Sequence, residues 1–384
     1  MRILFTCVAG YGHFHPLVPL ARALADQEHD VAFATSAVFR ERIEASGFRI
    51  FEAGLSQAEV NERFAPYRAR LAELPIPERR QHVYRWRWAE IDSPARLRAL
   101  REAAEAWQPE LLIHESAELA GPLVAASLGL PSVNHSFGRM VPRVCLEGAA
   151  ASMEPLWRAE GVEPEPLCGV FRGQYVDICP PSFQTEAPPA GARIQPLRPL
   201  FPPAPGESPP PWLDELRDTR MVYVTLGTVH NDVTLFRTLL AALANVDCSV
   251  VATIGPNNDP EALGPLPANA RVERYVAQGF LLPECDVVVA QGGSGATLAT
   301  LAHGIPSLVI PQGADQFENA EQCVSLGTGL ALLPDAVTEE SVREAVVELL
   351  TDPSYRACAC RMANEISAMP HPADAAPAIA GAVS

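Results

Sequence analysis

Two groups of residues in this chain have the types and spacing for chemistry, and they lie in opposite halves. Near the start, GYGHFHP carries His13 and His15, and far downstream LLIHE ends in Glu115. An imidazole held by a carboxylate is a general base. The carboxylate fixes the tautomer and stabilises the imidazolium that proton abstraction creates. His15 is the weaker candidate, because a residue directly before Pro16 is biased to an extended backbone and is left to cap the next helix. His114 is expected to face away from Glu115, since strand neighbours alternate sides. The plainer alternative, with His13 a loop residue and Glu115 an exposed strand-end acid, stands beside this reading.

The second group is VVVAQGGSGATLATLAHGIPSLVIPQGADQFENAEQC, from Val287 to Cys323. Its apolar opening, Val287–Ala290, is too short for a helix and rich in β-branched residues, which predicts a strand buried on both faces. Gly292, Gly293 and Gly295, interleaved with Ser294, lead into a helical pattern from about Ala296. A strand, a glycine turn and a helix start together suit an anion. Glycine permits close approach of the main chain, the first-turn N–H groups lack partners, and the helix dipole favours negative charge. The predicted ligand is a phosphate or diphosphate, although an ordinary tight turn shares this pattern. No GK[ST] follows the loop, and Gly295 is followed by Ala296, Thr297 and Leu298, so neither the NTPase loop nor the dinucleotide fingerprint fits. A further strand, Ser307–Ile310, ends in Pro311, Gln312, Gly313, Ala314, Asp315 and Gln316. A carboxylate beside an amide at a strand's C-terminal end can accept from and donate to sugar hydroxyls.

These residues need elements to hold them. In the first half, strands are predicted at Ile3–Val8, Val31–Thr35, Phe48–Phe51, Leu111–Ile113 and Ser132–Asn134. Helices are predicted between them at Leu17–Ala25, Val38–Ser46 and about Leu119–Leu128, with further helix over 57–108. This alternation predicts an α/β fold with a doubly wound parallel sheet. In the common strand order, strands one and four are neighbours whose C-terminal ends meet at the switch point, so His13 and Glu115 are expected to come together there. Prolines crowd Pro180–Trp212, which reads as an extended connector with a domain boundary near Ala204–Pro210. The pattern then restarts with strands at Val222–Leu226, Ser249–Ile254, Arg271–Val276 and Val287–Gln291. By the same switch-point argument Thr228 is expected beside the glycine loop. Helices at about Glu339–Leu350 and Tyr355–Met369 precede an Ala/Pro tail. The expected division is 1–204, 205–360 and a tail, 361–384, that crosses back to the first domain.

The 384 residues carry a net charge of −17, and all 29 basic residues are arginine, which argues against nucleic acid as a partner. No apolar run of about 18 residues predicts a membrane span. The chain begins directly on a strand without a signal-peptide pattern, so a cytoplasmic location is expected. Nine scattered cysteines without C-x-x-C or His pairing predict reduced thiols and no metal site.

Three stretches together, GYGHFHPLVPLARAL, PELLIHESAELAGPLVAASLGLPSVNHS and RYVAQGFLLPECDVVVAQGGSGATLATLAHGIPSLVIPQGADQFENA, make the chain resemble the GT-B glycosyltransferases. The resemblance is to the family-1, nucleotide-sugar-dependent enzymes of bacterial secondary metabolism, and it spans nearly the whole chain. It implies two Rossmann-like domains facing each other across a cleft and metal-free inverting transfer without a cofactor. The co-substrates it implies are a TDP- or UDP-linked sugar and a small hydrophobic aglycone such as a polyketide. It implies His13 as the base and Glu115 as its acidic partner, where relatives often have Asp. It places the nucleotide base at Tyr275, with Val276 and Gln278 reaching base and ribose, the diphosphate at 292–297, and the sugar on Asp315 and Gln316. Relatives usually carry His where this chain has Gln291, which contacts the diphosphate. Gln donates but cannot become cationic, a loss of about 1 kcal/mol. The acceptor surface is expected from the 57–108 helices and the 137–160 loop, through Phe14, Tyr84, Trp88 and Phe137. The Tyr84/Trp86/Trp88 pattern reads more readily as core packing. C-glycosylation, a catalytically silent helper and a nucleotide-sugar epimerase remain as alternatives, and a homodimer is left open.

Overall fold

Short β-branched strands separated by helices pair in parallel, because every return to the sheet needs a crossover long enough to hold a helix. The computed structural model describes residues 1–203, 206–216, 218–227, 232–255 and 258–383. The chain folds as two compact units, Met1–Arg198 with Met369–Ser384, and Pro199–Ala368.

The first unit contains β1 (Arg2–Thr6), β2 (Asp30–Thr35), β3 (Arg49–Glu52), β4 (Leu111–Glu115), β5 (Ser132–His135), β6 (Gln174–Asp177) and β7 (Arg193–Pro196). They form one sheet in the order β3-β2-β1-β4-β5-β6-β7, and every pairing is parallel. Helices cover both faces, so the central strands are apolar through their middles and turn polar only at their ends. Ile3, Leu4 and Phe5 of β1 and all five residues of β4 are buried. The connections reverse direction between β1 and β4, where Thr6 lies opposite His114. The chain leaving β1 therefore passes directly beside Glu115.

The structure departs from expectation in several places. GYGHFHP is not a loop but a helical turn, Tyr11–Phe14, running into a 3-10 turn, His15–Leu17. His15 is helical (φ −57°, ψ −39°), not extended. The bias against a helical residue before proline is a preference, and continuous helical turns on both sides override it here. The expected 137–160 loop contains a helix, Arg143–Ala159, that buries Cys145, Leu146, Ala149, Met153 and Trp157. The Pro-rich stretch is not all connector. Phe183 and Leu197 are buried, and β7 pairs with β6 at the sheet edge, where Pro196 at the strand end costs no interior ladder bond. Of the expected boundary segment, residues 204 and 205 lie outside the described residues.

The second unit repeats the plan with β8 (Met221–Thr225), β9 (Ser249–Thr253), β10 (Ala270–Glu273), β11 (Val287–Ala290), β12 (Ser307–Val309) and β13 (Gly329–Ala331). The order is β10-β9-β8-β11-β12-β13, again all parallel, with the reversal between β8 and β11. Its helix Pro353–Ala368 is tied down by Arg356, which donates to the carbonyls of Gly304, Cys285 and Asp286. The Ala/Pro tail then returns to the first unit as a helix, Pro372–Ala380, burying Ala375, Ala376 and Ile379. Pro370 accepts from the Arg198 N–H at 2.8 Å, and Ala373 accepts from Gln27 at 2.9 Å. All nine cysteines are free thiols. Among the described residues no helix is long and apolar enough to cross a membrane. Two parallel sheets, each flanked by helices, are two Rossmann-like domains.

Candidate active site

In the first unit, the turn after β1 sets the imidazole. Gly10 precedes the helical turn, and a Cβ there would lie 2.8 Å from Cδ2 of His13, so the missing side chain is what makes room for the ring. His13 Nδ1 stands 3.2 Å from Oε2 of Glu115. Nδ1 has no well-aligned hydrogen-bond partner, so the contact is a close ion-pair geometry rather than a directed bond. Glu115 is fully buried and accepts from the Val8 N–H at 3.3 Å and the Ala117 N–H at 2.6 Å. Burial pushes its carboxyl up, but the His13 ring and these two donors outweigh burial and hold it below the ordinary glutamate range. A carboxylate kept charged beside an imidazole favours the protonated ring, which is what a base becomes when it works.

Two aromatic rings wall this pair. Phe137 lies 4.5 Å from the His13 ring and Trp88 lies 5.4 Å away, edge-on. Both expected acceptor contacts are thus beside the imidazole. Phe14 is not. It turns into the core, stacked on Phe39 at 4.8 Å and against Phe33 at 5.6 Å, because consecutive residues of a helical turn point to different sides. Tyr84 is likewise a core residue, 3% exposed and packed with the aromatic and aliphatic side chains behind the sheet. Trp86 belongs to a separate apolar cluster with Val60 and Phe64. His15 is exposed, with Arg42 at 3.5 Å. His114 turns from the Glu115 side chain toward Asn134, 3.2 Å away.

In the second unit, β11 delivers the glycine turn. Gly292 has φ +85°, and a Cβ would fall 2.5 Å from Val309, so only glycine fits. Gly293 precedes the helix Ser294–Ala302 without a side-chain cap, which leaves first-turn N–H groups open, and the space a Cβ at Gly295 would take is empty. Ala296 and Thr297 continue the first turn. Ser294 Oγ donates to Asp315 Oδ2 at 2.5 Å, and Asn319 donates to the same oxygen at 3.2 Å and to the Gly292 carbonyl at 2.8 Å. Asn319 was not among the expected residues. Its i, i+4 spacing from Asp315 on a helix start is the signal that reveals it. Gln316 is buried, and its side-chain oxygen accepts from the N–H groups of Gln312 and Gly313 at 2.7 and 3.0 Å, which leaves the amide nitrogen to meet a ligand.

Gln291 is 9% exposed, and its side-chain nitrogen would be 2.3 Å from a Cβ on Gly227 and 3.2 Å from one on Gly293. Its oxygen is buried without a partner. The amide therefore sits against the backbones of both switch-point turns. Thr228, expected here, lies outside the described residues. Tyr275 is exposed on a shallow groove lined also by Asp259, Glu261 and Arg274. Val276 packs on the sheet's helix-covered face, and Gln278 opens the short helix Gln278–Leu281, its side chain reaching the buried Tyr223 hydroxyl. Among the described residues no group of three or more His, Cys, Asp or Glu is arranged to hold a metal ion.

Comparison with known proteins adds to this geometry. The family described as erythromycin biosynthesis protein CIII-like matches through its N-terminal domain over residues 22–227 and its C-terminal domain over 237–381. The L-demethylnoviosyl transferase of Streptomyces niveus is 35% identical over 99% of this chain and 98% of its own. The glycosyltransferase SnogD of Streptomyces nogalater superposes with a TM-score of 0.78 at 30% identity, covering 100% of this chain and 99% of its own. SsfS6, a glycosyltransferase of Streptomyces sp. SF2575 solved with thymidine diphosphate, superposes with a TM-score of 0.81 at 26% identity, covering 99% of each chain.

Proposed function

This chain belongs to the erythromycin biosynthesis protein CIII-like glycosyltransferases, and we propose that it performs inverting, metal-independent transfer of a sugar from thymidine diphosphate to a hydroxyl of a small hydrophobic natural product. The observation that carries this reading is the His13–Glu115 pair at 3.2 Å, its carboxylate fully buried and its imidazole partly exposed. Nδ1 faces Glu115, so Nε2 is the nitrogen that takes the acceptor hydroxyl's proton. The hydroxyl oxygen then bonds to the anomeric carbon while the bond to the diphosphate oxygen breaks. Attack from the face opposite the leaving group inverts the anomeric centre.

The second unit receives the leaving group's charge. Open N–H groups at the start of Ser294–Ala302 and the empty space over Gly295 suit a diphosphate, and such preorganised donors stabilise departing negative charge by electrostatics alone. The Gln316 amide and Asp315 are the sugar's partners, and Tyr275 offers a ring for the base. Thymidine rather than uridine diphosphate is supported by the ligand of SsfS6. Trp88 and Phe137 beside the base favour an apolar, planar acceptor.

The test is incubation with TDP- and UDP-sugars and a panel of aromatic and macrolide aglycones, with the anomeric configuration of the product read by NMR. Product of inverted configuration in the presence of a chelator is expected. Retained configuration, chelator-sensitive turnover, or sugar isomerisation without acceptor overturns the proposal.

A further inference from the structure

The segment behind the imidazole is not an ordinary helix. Tyr84–Asp92 is a π-helix, closed by the Ser93 N–H bonding to the Trp88 carbonyl, and such segments are rare and concentrate at functional sites. Tyr84, Trp88 and Asp92 recur every four residues along it, and all three are buried. Trp88 touches the His13 ring. Asp92, one turn on from Trp88 in the same π-helix, is 3% exposed. Its nearest cation is Arg87, whose Nε is 3.7 Å from Oδ2, too long for a hydrogen bond, and Oδ2 has no other partner. Arg87 itself lies over the Trp88 ring at 4.1 Å and faces Arg68 besides Asp92. Arg96 is engaged elsewhere, with Glu118 at 3.3 Å, Thr6 at 3.4 Å and the Ala53 carbonyl at 3.5 Å.

A buried carboxylate with an unpartnered oxygen is costly, and a fold that needed only to close this core would place an apolar residue there. We propose that Asp92 is a positioning residue for the base, a second carboxylate that acts with Glu115 on the imidazolium formed at His13. Burial pushes the Asp92 carboxyl up, and Arg96, Arg87 and His13 offset that only in part. The charged groups around the ring are then Glu115 on β4 and Asp92 on the π-helix, with Arg87 and Arg96 tempering the second. The inference rests on His13 being the base.

The test compares the pH dependence of turnover in wild type, Asp92→Asn, Asp92→Glu and Arg87→Gln, with His13→Ala as control and thermal melting of each. Asn is expected to lower turnover by about tenfold and to move the acid limb toward lower pH by about half a unit. Glu is expected to restore both, and thymidine diphosphate binding is expected to be unchanged. Arg87→Gln, which strips Asp92 of its nearest cation, is expected to move the acid limb toward higher pH. An Asn variant that melts earlier but keeps the wild-type limb overturns the proposal. Should Asn fail to fold, an unshifted limb in Arg87→Gln overturns it. Full activity in His13→Ala sinks the base itself. An inactive His13→Ala beside an unshifted Asp92→Asn sinks only this inference.

Discussion

Ser294 Oγ and Asp315 Oδ2 are 2.5 Å apart, which fastens the glycine turn after β11 to the loop after β12. Asn319 clasps the same carboxylate and the Gly292 carbonyl, so three segments of the second unit share one partly buried knot. Ser294→Ala removes the shortest bond of this knot. It is expected to weaken thymidine diphosphate binding by about tenfold, in line with about 1.5 kcal/mol for one hydrogen bond to a charged group, while leaving proton abstraction untouched. Calorimetric titration of wild type and variant checks this.

The imidazole variant separates the two half-sites. His13→Ala is expected to cut turnover by about 10² or more, with nucleotide affinity unchanged because the ring belongs to the first unit. Steady-state kinetics beside a nucleotide titration reads both numbers.

Glu115 ties activity to acid stability. Its folded pKa is depressed, so its contribution to stability is present above the ordinary glutamate range and is lost as pH falls through the folded value. Glu115→Gln is expected to lower turnover at neutral pH and to melt below wild type there. The gap in melting temperature should close as pH falls through and below that range. A gap of constant size from pH 7 to pH 3 contradicts the assignment.

The two glycines of the turn separate folding from binding. Gly292→Ala must place a Cβ against Val309 at positive φ, and a loss of about 1–3 kcal/mol in stability is expected. Gly295→Ala meets no atom, so melting should hold or rise, while nucleotide binding falls because the methyl group occupies the space over the helix start. Thermal melts and titrations of the pair distinguish the two roles.

Gln291→His places an ionisable ring where the amide now lies against both switch-point turns. Nucleotide affinity is expected to rise by about fivefold at pH 6 and less at pH 8, because only the protonated ring adds a charge-assisted bond. Affinity independent of pH would remove residue 291 from the diphosphate.

Much of this site was legible because it depends on backbone topology. Strand periodicity gives the sheet order, sheet order gives the switch points, and these bring His13 to Glu115 and mark the glycine turn. What stayed hidden depends on packing. Phe14 and Phe137 are equally aromatic, yet the helical turn's rotation sends Phe14 into the core, while Phe137, in the bend after β5, lies against His13. The π-helix over Tyr84–Asp92 has no propensity signal of its own, because its widened turn is imposed by the helices it packs on. β7 was masked by prolines that an edge strand tolerates. Asn319 was readable from its i, i+4 spacing to Asp315, but its bond to the Gly292 carbonyl leaves no trace in side-chain types.

The last helix, Pro372–Ala380, gives the molecule an unusual wiring, since the polypeptide leaves the first unit after Arg198 and rejoins it at Met369. The second unit is therefore spliced into the interior of its neighbour's sequence instead of being appended to it. A protease that nicks the chain once beyond Arg198 would not free the amino-terminal fragment, which would stay clasped by its own distant carboxyl-terminal helix. Two scissions are needed to part the halves, and trimming the final helix would wound the half that holds the imidazole, not the one it follows in sequence.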